Sequence, residues 1–251
     1  MQELSTPRSP ILTSPPPTMA IKSLLLTLLT ATSALATPLE KRAVINHDAV
    51  VSIPQTVPDT ALGQLYLRYK PFLQVQNGCV PFPAVDLAGN TGAGVATSGS
   101  SSGGCSSSKG QVYARAGTSS GRFGIMYAWY FPKDSPSDGL GHRHDWESIV
   151  VWLSSSTGTP SILGVSASAH GGYDKNTSPN LSGTSPLIRY YSSWPINHQL
   201  GYTSTKGGQQ PLVAWESLKK PVWLALNNTD FGSANVPFKD ENFAMNLALA
   251  Y

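Results

Sequence analysis

The sequence predicts a mainly β fold: a central β-sandwich flanked by a few helices. It is 40% hydrophobic and only 12% charged, with 23 Gly and 20 Pro, which favours short strands and frequent turns over a helical bundle. Segments rich in Tyr, Trp, Val, Ile and Phe alternate with clusters of Gly, Ser and Pro. Because sandwiches of this size often form one unit, we expect a single domain over residues 43–251.

The amino-terminal region is expected to be removed. Residues 1–36 contain an extension and a signal peptide, with Met19 as the expected start, since a short apolar run ends in the cleavable sequence Ala34-Leu35-Ala36. Residues 37–42 end in the dibasic pair Lys41-Arg42, which indicates a short propeptide unless the pair arose by chance. The apolar run is too short to span a bilayer, so we expect a secreted, extracellular protein without a membrane anchor.

The elements of the domain follow in order. Residues 48–55 look extended, and apolar residues at helical spacing predict a short helix over 60–69. In the two central strands, 122–131 and 146–153, the stretches GIMYAWYF and IVVWL are apolar on both alternating faces, which predicts strands covered on both sides. The remaining predictions are strands at 111–116, 162–168, 187–191, 213–215 and 222–226, and a closing helix at 240–249.

A secreted protein can form disulfides and carry N-linked glycans. Cys79 and Cys105 would lie in an oxidising compartment, so one structural disulfide closing a Gly- and Ser-rich loop is the simplest assignment. Three Asn-x-Ser/Thr sequons, at Asn176, Asn180 and Asn227, are candidate glycosylation sites, although such sequons are also common by chance. No run of Lys or Arg indicates nucleic acid or an anionic lipid surface, so any membrane target must be recognised specifically.

Charged side chains, otherwise sparse, concentrate in residues 133–147. Asp134 follows one strand, a Pro- and Gly-containing loop comes next, and Asp145 and Glu147 begin the following strand. Strand side chains alternate, so Asp145 and Glu147 point to the same face, about 6 to 7 Å apart, with Trp146 opposite. Two such carboxylates at the edge of an apolar sheet repel each other and lose solvation unless a positive charge lies between them.

A cation supplies that charge directly. Oxygen ligands with one His suit a single divalent ion, Mg²⁺, Ca²⁺ or Mn²⁺. Zinc bound by His142, His144 and a carboxylate ranks second, because the spacing is not that of the helical zinc proteases. The alternative without an ion is a solvated loop in which Arg143 pairs with Asp145 or Glu147.

Residues 124–147, GIMYAWYFPKDSPSDGLGHRHDWE, resemble the signature of the necrosis- and ethylene-inducing peptide-like proteins, a family of microbial cytolysins. The heptapeptide at 141–147 is the most specific part, and the resemblance extends from residues 45–50 to the terminal helix. The two-cysteine pattern is similar to the family's type 1 group. This resemblance implies a secreted, fungal-type toxin whose sandwich is similar to those of actinoporins and some fungal lectins.

The resemblance also implies a mechanism without enzymatic turnover. A divalent cation, Mg²⁺ or Ca²⁺, would be held by Asp134, His142, Asp145 and Glu147. With this ion a monomeric protein would bind plant plasma-membrane sphingolipids, the glycosyl inositol phosphoryl ceramides, through their inositol phosphate and sugar head groups. Membrane damage, necrosis and immune responses would follow.

Two further loops resemble head-group contacts of the family. His170 lies in an Ala-His-Gly-Gly-Tyr loop, and Trp194, Asn197 and His198 lie in a Trp-Pro-Ile-Asn-His loop. An exposed Trp offers an apolar face to a sugar ring or to the membrane interface. The alternatives are a turn role for His170 and a core position for Trp194; Asn197 cannot ligate a cation as an acid would.

Two other functions remain open on the sequence. A metal-dependent hydrolase would use the paired carboxylates, with His142 or His144 as general base. A non-cytolytic secreted relative would act only by being perceived by a plant immune receptor through residues 124–143.

Overall fold

The computed structural model describes residues 42–193 and 195–251; the predicted signal peptide, Lys41 and Trp194 lie outside the described residues. Helices α1 (Ala61–Arg68), α2 (Lys220–Asn228) and α3 (Phe243–Leu249) accompany twelve strands. The strands are β1 (Val44–Ile45), β2 (Phe72–Val75), β3 (Thr91–Gly92), β4 (Val112–Ser119), β5 (Arg122–Asp134), β6 (His142–Leu153), β7 (Ile162–Ala169), β8 (Gly172–Asn176), β9 (Leu181–Ser182), β10 (Ser185–Tyr191), β11 (Gln199–Tyr202) and β12 (Leu212–Ala214).

The strands form the predicted sandwich. One sheet has six strands in the order β12-β4-β5-β6-β7-β8, and the other orders β11-β10-β2 with β9 beside β10. The sheets meet where Phe131 of β5 stacks on Tyr190 of β10, with ring centroids 3.8 Å apart. A third, two-stranded sheet pairs β1 with β3.

β5 and β6 form the centre of the larger sheet. Every residue of β5 from Gly124 to Asp134 is buried, and so is every residue of β6 from Asp145 to Leu153. This confirms the prediction of two strands covered on both sides. The hairpin therefore carries its polar residues into the interior at the end where β5 finishes and β6 begins.

Two of the three helices were predicted from the sequence, and the third replaces a predicted strand. Helix α1 begins after Thr60, whose side chain accepts a hydrogen bond from the Gly63 N–H, and α3 buries Phe243 and Leu247. The strand predicted at 222–226 is wrong, since these residues belong to α2. Pro221 suits the first turn of a helix, and the buried residues of α2 recur at helical spacing; a short apolar run alone does not separate the two states.

The segment at 48–55 forms no strand. It starts with a 3-10 turn, His47–Ala49, and Thr56 just beyond it makes an isolated bridge to Val213 at the edge of the larger sheet. Among the helices within residues 42–193 and 195–251, none combines the length and the hydropathy needed to cross a bilayer.

Cys79 and Cys105 form the predicted disulfide. The loop between them packs against the loop at 135–141 that joins β5 to β6. The Lys133 Nζ donates to the Ser100 carbonyl at 2.9 Å, and Asp138 accepts from the Gly99 N–H at 2.7 Å. The disulfide thus supports the loop that precedes β6, and Asp138 takes part in this contact.

We expect Cys79→Ala combined with Cys105→Ala to lower the free energy of unfolding by about 3 to 4 kcal/mol, because the unfolded chain gains loop entropy. Urea unfolding followed by tryptophan fluorescence measures the loss, with the oxidised wild type as reference. A loss below about 1 kcal/mol would show that the loop is held by its packing alone.

Candidate functional site

Seven of the residues predicted for the site line one cavity of about 320 Å³ at the end of the β5–β6 hairpin. They are Asp134, His142, Asp145, Glu147, His170, Asn197 and His198. Trp194 lies outside the described residues, so its role stays a prediction.

The backbone of the heptapeptide brings His142 and Asp145 into the same cavity. Regular alternation would place residues three apart on opposite faces of a strand. His144 between them has a φ of 63°, in the left-handed region, and interrupts the alternation. Gly141 also has a left-handed backbone, with a φ of 88°. Only glycine fits there, since a Cβ would lie 2.0 Å from the Asp134 carbonyl oxygen.

His144 is held in this conformation by aromatic neighbours. Its Nδ1 forms a 2.6 Å hydrogen bond with the Tyr130 hydroxyl, and its ring meets the Phe231 ring edge-on at 5.3 Å. Burial lowers the pKa of His144 to about 4, so the ring is neutral at physiological pH. His144 does not line the cavity, which removes the geometric basis for a zinc site made from His142 and His144.

Neighbouring side chains orient each carboxylate. Asp134 Oδ1 accepts from the His198 backbone N–H at 3.0 Å and contacts the His198 Nδ1 at 2.6 Å. Asp145 accepts from the Tyr190 hydroxyl at 2.8 Å, and Glu147 accepts from the Ser168 hydroxyl. Neither Tyr190 nor Ser168 was recognisable as a site residue from the sequence, where each lies only within a predicted strand.

Burial raises the pKa of Asp145 well above its ordinary value, and the nearby Asp134 carboxylate raises it further. Burial and the Asp145 carboxylate raise the pKa of Glu147 in the same way. Within residues 42–193 and 195–251, no Lys or Arg forms an ion pair with either group. Lys and Arg side chains therefore do not offset these two acids in the described chain.

The pairing of Arg143 with these acids, considered on the sequence, does not occur. Arg143 Nη1 donates instead to the Ala93 carbonyl at 2.8 Å. Both acids are buried, so they do not belong to a solvated loop. Within the described residues, no group of three or more His, Cys, Asp or Glu side chains is arranged to hold a metal ion. A cation at these acids therefore stays a prediction, and it would need further ligands from water or from a bound molecule.

His198 and His170 are placed very differently. The His198 ring is buried and stacks on Tyr190 with centroids 4.7 Å apart, so its position suits the support of Asp134. His170 is exposed at the β7–β8 turn, where its φ of 45° and the 83° of Gly171 are typical of a tight hairpin. A head-group contact stays a prediction for both, and for Asn197.

One part of the cavity wall was not predicted from the sequence. Ser233, Ala234, Asn235 and Pro237 form part of it, together with Asn246 and Leu249 of α3. These residues lie far along the chain from the heptapeptide and form no recognisable motif. Only the return of the chain after α2 places them at the site.

The three sequons differ in how their amide groups are used. Asn180 Nδ2 donates to the Thr203 carbonyl at 3.2 Å. Asn227 Nδ2 donates to the Trp223 carbonyl at 3.1 Å, and its Oδ1 accepts from the Asp240 N–H at 3.0 Å. Asn176 uses its Oδ1, which accepts from the Ser178 N–H at 2.8 Å.

A glycan attaches to the amide nitrogen, so at Asn227 it would disturb the contact with the Trp223 carbonyl in α2, whereas at Asn176 it would leave the Oδ1 contact in place. We therefore expect higher occupancy at Asn176 than at Asn227 when the protein is secreted from a eukaryotic host. Peptide mass spectrometry measures the occupancies. Full occupancy at Asn227 with none at Asn176 would contradict this expectation.

In the presence of chelator, we expect Asp145→Asn to raise the free energy of unfolding at neutral pH by about 1 to 3 kcal/mol, because Asn removes a buried charge whose desolvation the Tyr190 hydrogen bond offsets only in part. Because the folded-state pKa of Asp145 is raised, wild-type stability falls as pH rises from near the ordinary value of 3.8 toward the folded value. Adding Mg²⁺ or Ca²⁺ at neutral pH should then stabilise the wild type and leave the variant unchanged.

Urea unfolding between pH 4 and pH 8 tests this expectation. Asp59→Asn is the control, since Asp59 is an exposed acid that does not line the cavity. Equal stabilisation of wild type and Asp145→Asn by the cation would place the ion elsewhere.

Comparison with known proteins identifies the family. The family model described as Necrosis inducing protein (NPP1) matches residues 63–250. NLP effector protein 10 of Phytophthora capsici is 48% identical over 87% of this chain and 96% of its own length. Necrosis-inducing protein NPP1 of Phytophthora nicotianae is 48% identical over 83% of this chain and 91% of its own length. The predicted fungal source stays a prediction, since these relatives are from Phytophthora.

Solved structures agree. NLPPya in complex with mannosamine is 50% identical, covers 83% of this chain and 99% of its own, and superposes with a TM-score of 0.79. The non-toxic HaNLP3 protein is 42% identical over 82% of this chain and 98% of its own, with a TM-score of 0.79. The relatives are named as effectors and toxins rather than enzymes, as the sequence led us to expect. The chain belongs to the NPP1 family of necrosis-inducing proteins.

Proposed function

We propose that this protein is a secreted cytolysin that binds the head groups of glycosyl inositol phosphoryl ceramides in the plant plasma membrane. One divalent cation, Mg²⁺ or Ca²⁺, would be held by Asp134, His142, Asp145 and Glu147. The observation that carries the proposal is the cavity itself, in which Asp145 and Glu147 are buried without a Lys or Arg partner in the described chain.

A bound divalent cation would offset the carboxylate charge and accept oxygen ligands from a phosphate or sugar. The chain's own residues set the geometry. His198 and Tyr190 fix the orientations of Asp134 and Asp145, and the Ser168 hydroxyl fixes Glu147. At the rim, His170 and Asn197 offer polar groups to sugar hydroxyls.

The ligands of solved relatives support a sugar-binding role. NLPPya has been solved in complex with mannosamine and with glucosamine, both amino sugars. The cavity of about 320 Å³ lies at the lower end of the range usual for small-molecule sites. A single sugar ring with its hydroxyls is therefore a suitable ligand.

A non-cytolytic role is the second candidate, because the non-toxic HaNLP3 protein shares this fold. In that case the protein would be perceived by a plant immune receptor through residues 124–143. Gly124 to Asp134 are buried in β5, so a receptor would reach most of this segment only after unfolding or cleavage.

For the cytolysin we expect rapid dye release from vesicles that contain the plant sphingolipid, and none from matched vesicles without it. Chelator should abolish the release, and Asp145→Ala should reduce it at least tenfold, because the cation loses a ligand oriented by Tyr190. Fluorescence dequenching measures the release.

The matched control is Asp59→Ala, since Asp59 is an exposed acid that does not line the cavity. This variant should release dye from the vesicles as the wild type does. Leakage that persists in chelator would remove the ion from the mechanism. Cation binding without any leakage would favour the non-cytolytic role.

A further inference from the structure

Helix α3 has two apolar faces, and only one of them packs on the core. Phe243 and Leu247 are buried against β4, where Gly117 makes room for them. Met245 is 62% exposed and Leu249 is 49% exposed. Because residues four apart lie on the same side of a helix, Met245 and Leu249 form one outward apolar strip.

This strip adjoins the carboxylate cavity. Leu249 and its neighbour on the helix, Asn246, both line the cavity wall. Asn197 also lines the cavity, and the adjacent Ile196 is 50% exposed. Two separate segments of the chain therefore carry exposed apolar side chains at or next to residues that line the cavity.

We propose that α3 is a membrane-contacting element, in which Met245 and Leu249 enter the interfacial apolar zone of the bilayer while the cavity holds a lipid head group. This inference rests on the proposed function. A head group bound in the cavity stays attached to its lipid, so the membrane surface must come to the rim of that cavity. The side chains beside the rim are then transferred from water into the membrane interface.

The composition of α3 fits a bilayer better than a protein partner. The helix has the sequence FAMNLAL, without a charged residue to pair with a partner's surface. Two half-exposed side chains offer far less area than the roughly 1,000 Å² that a stable protein interface buries. So small an apolar area gives weak, reversible membrane contact, which acts only when the head group is also bound.

Met245→Gln tests the inference, because Gln keeps helix propensity and removes the apolar contact. We expect this variant to bind vesicles containing the plant sphingolipid about fivefold more weakly at saturating cation, and Leu249→Gln added to it to weaken binding further, to about tenfold or more. Co-sedimentation measures the affinity. Cation-dependent binding of glucosamine by Met245→Gln, measured by calorimetry, should equal that of the wild type.

Leu181→Gln is the matched control, since Leu181 of β9 is 42% exposed and does not line the cavity. It should bind vesicles as the wild type does. Wild-type vesicle affinity in Met245→Gln with Leu249→Gln, an equal loss in Leu181→Gln, or loss of glucosamine binding in Met245→Gln would each overturn the role of α3 and leave the head-group proposal standing. Failure of the wild type to prefer sphingolipid vesicles would overturn both.

Discussion

Two carboxylates buried without a compensating base are the constraint on which the rest of this structure depends. Asp145 and Glu147 lie in β6 where that strand is covered on both sides, and no Lys or Arg of the described chain pairs with them. Such charges oppose folding. The two sheets must therefore stabilise the fold enough to hold two acids whose burial is unfavourable.

The same aromatic packing that joins the sheets also orients the acids. Phe131 stacks on Tyr190, and Tyr190 stacks on His198. Tyr190 in turn forms a hydrogen bond with Asp145, and His198 forms one with Asp134. Gly78 allows His198 its place, since a Cβ at that position would lie 2.3 Å from the His198 Nε2. The same stacked rings thus belong to both the core packing and the site, so a substitution in any of these three rings would alter both.

The sequence predicted what local periodicity and a contiguous motif can express. The central hairpin, the disulfide and the carboxylates followed from alternation, compartment and spacing, but the short apolar run of α2 suited strand and helix equally. The alternation of side chains along a strand could not predict the left-handed backbone conformation of His144, although this conformation brings His142 and Asp145 into the same cavity. The wall at Ser233 and α3 depends on contacts between distant parts of the chain, which periodicity does not encode.

Under the proposed function, the division between an acidic cavity and an apolar rim would let a chain of low net charge select one lipid. The sequence has no cluster of Lys or Arg that would draw the protein to anionic membranes in general, and two exposed side chains on α3 would hold it only weakly. Each contribution would be insufficient alone, so stable binding would require both a head group in the cavity and a membrane at the rim. Specificity would then arise because the two contacts are made together, and surfaces that offer only one of them would release the protein.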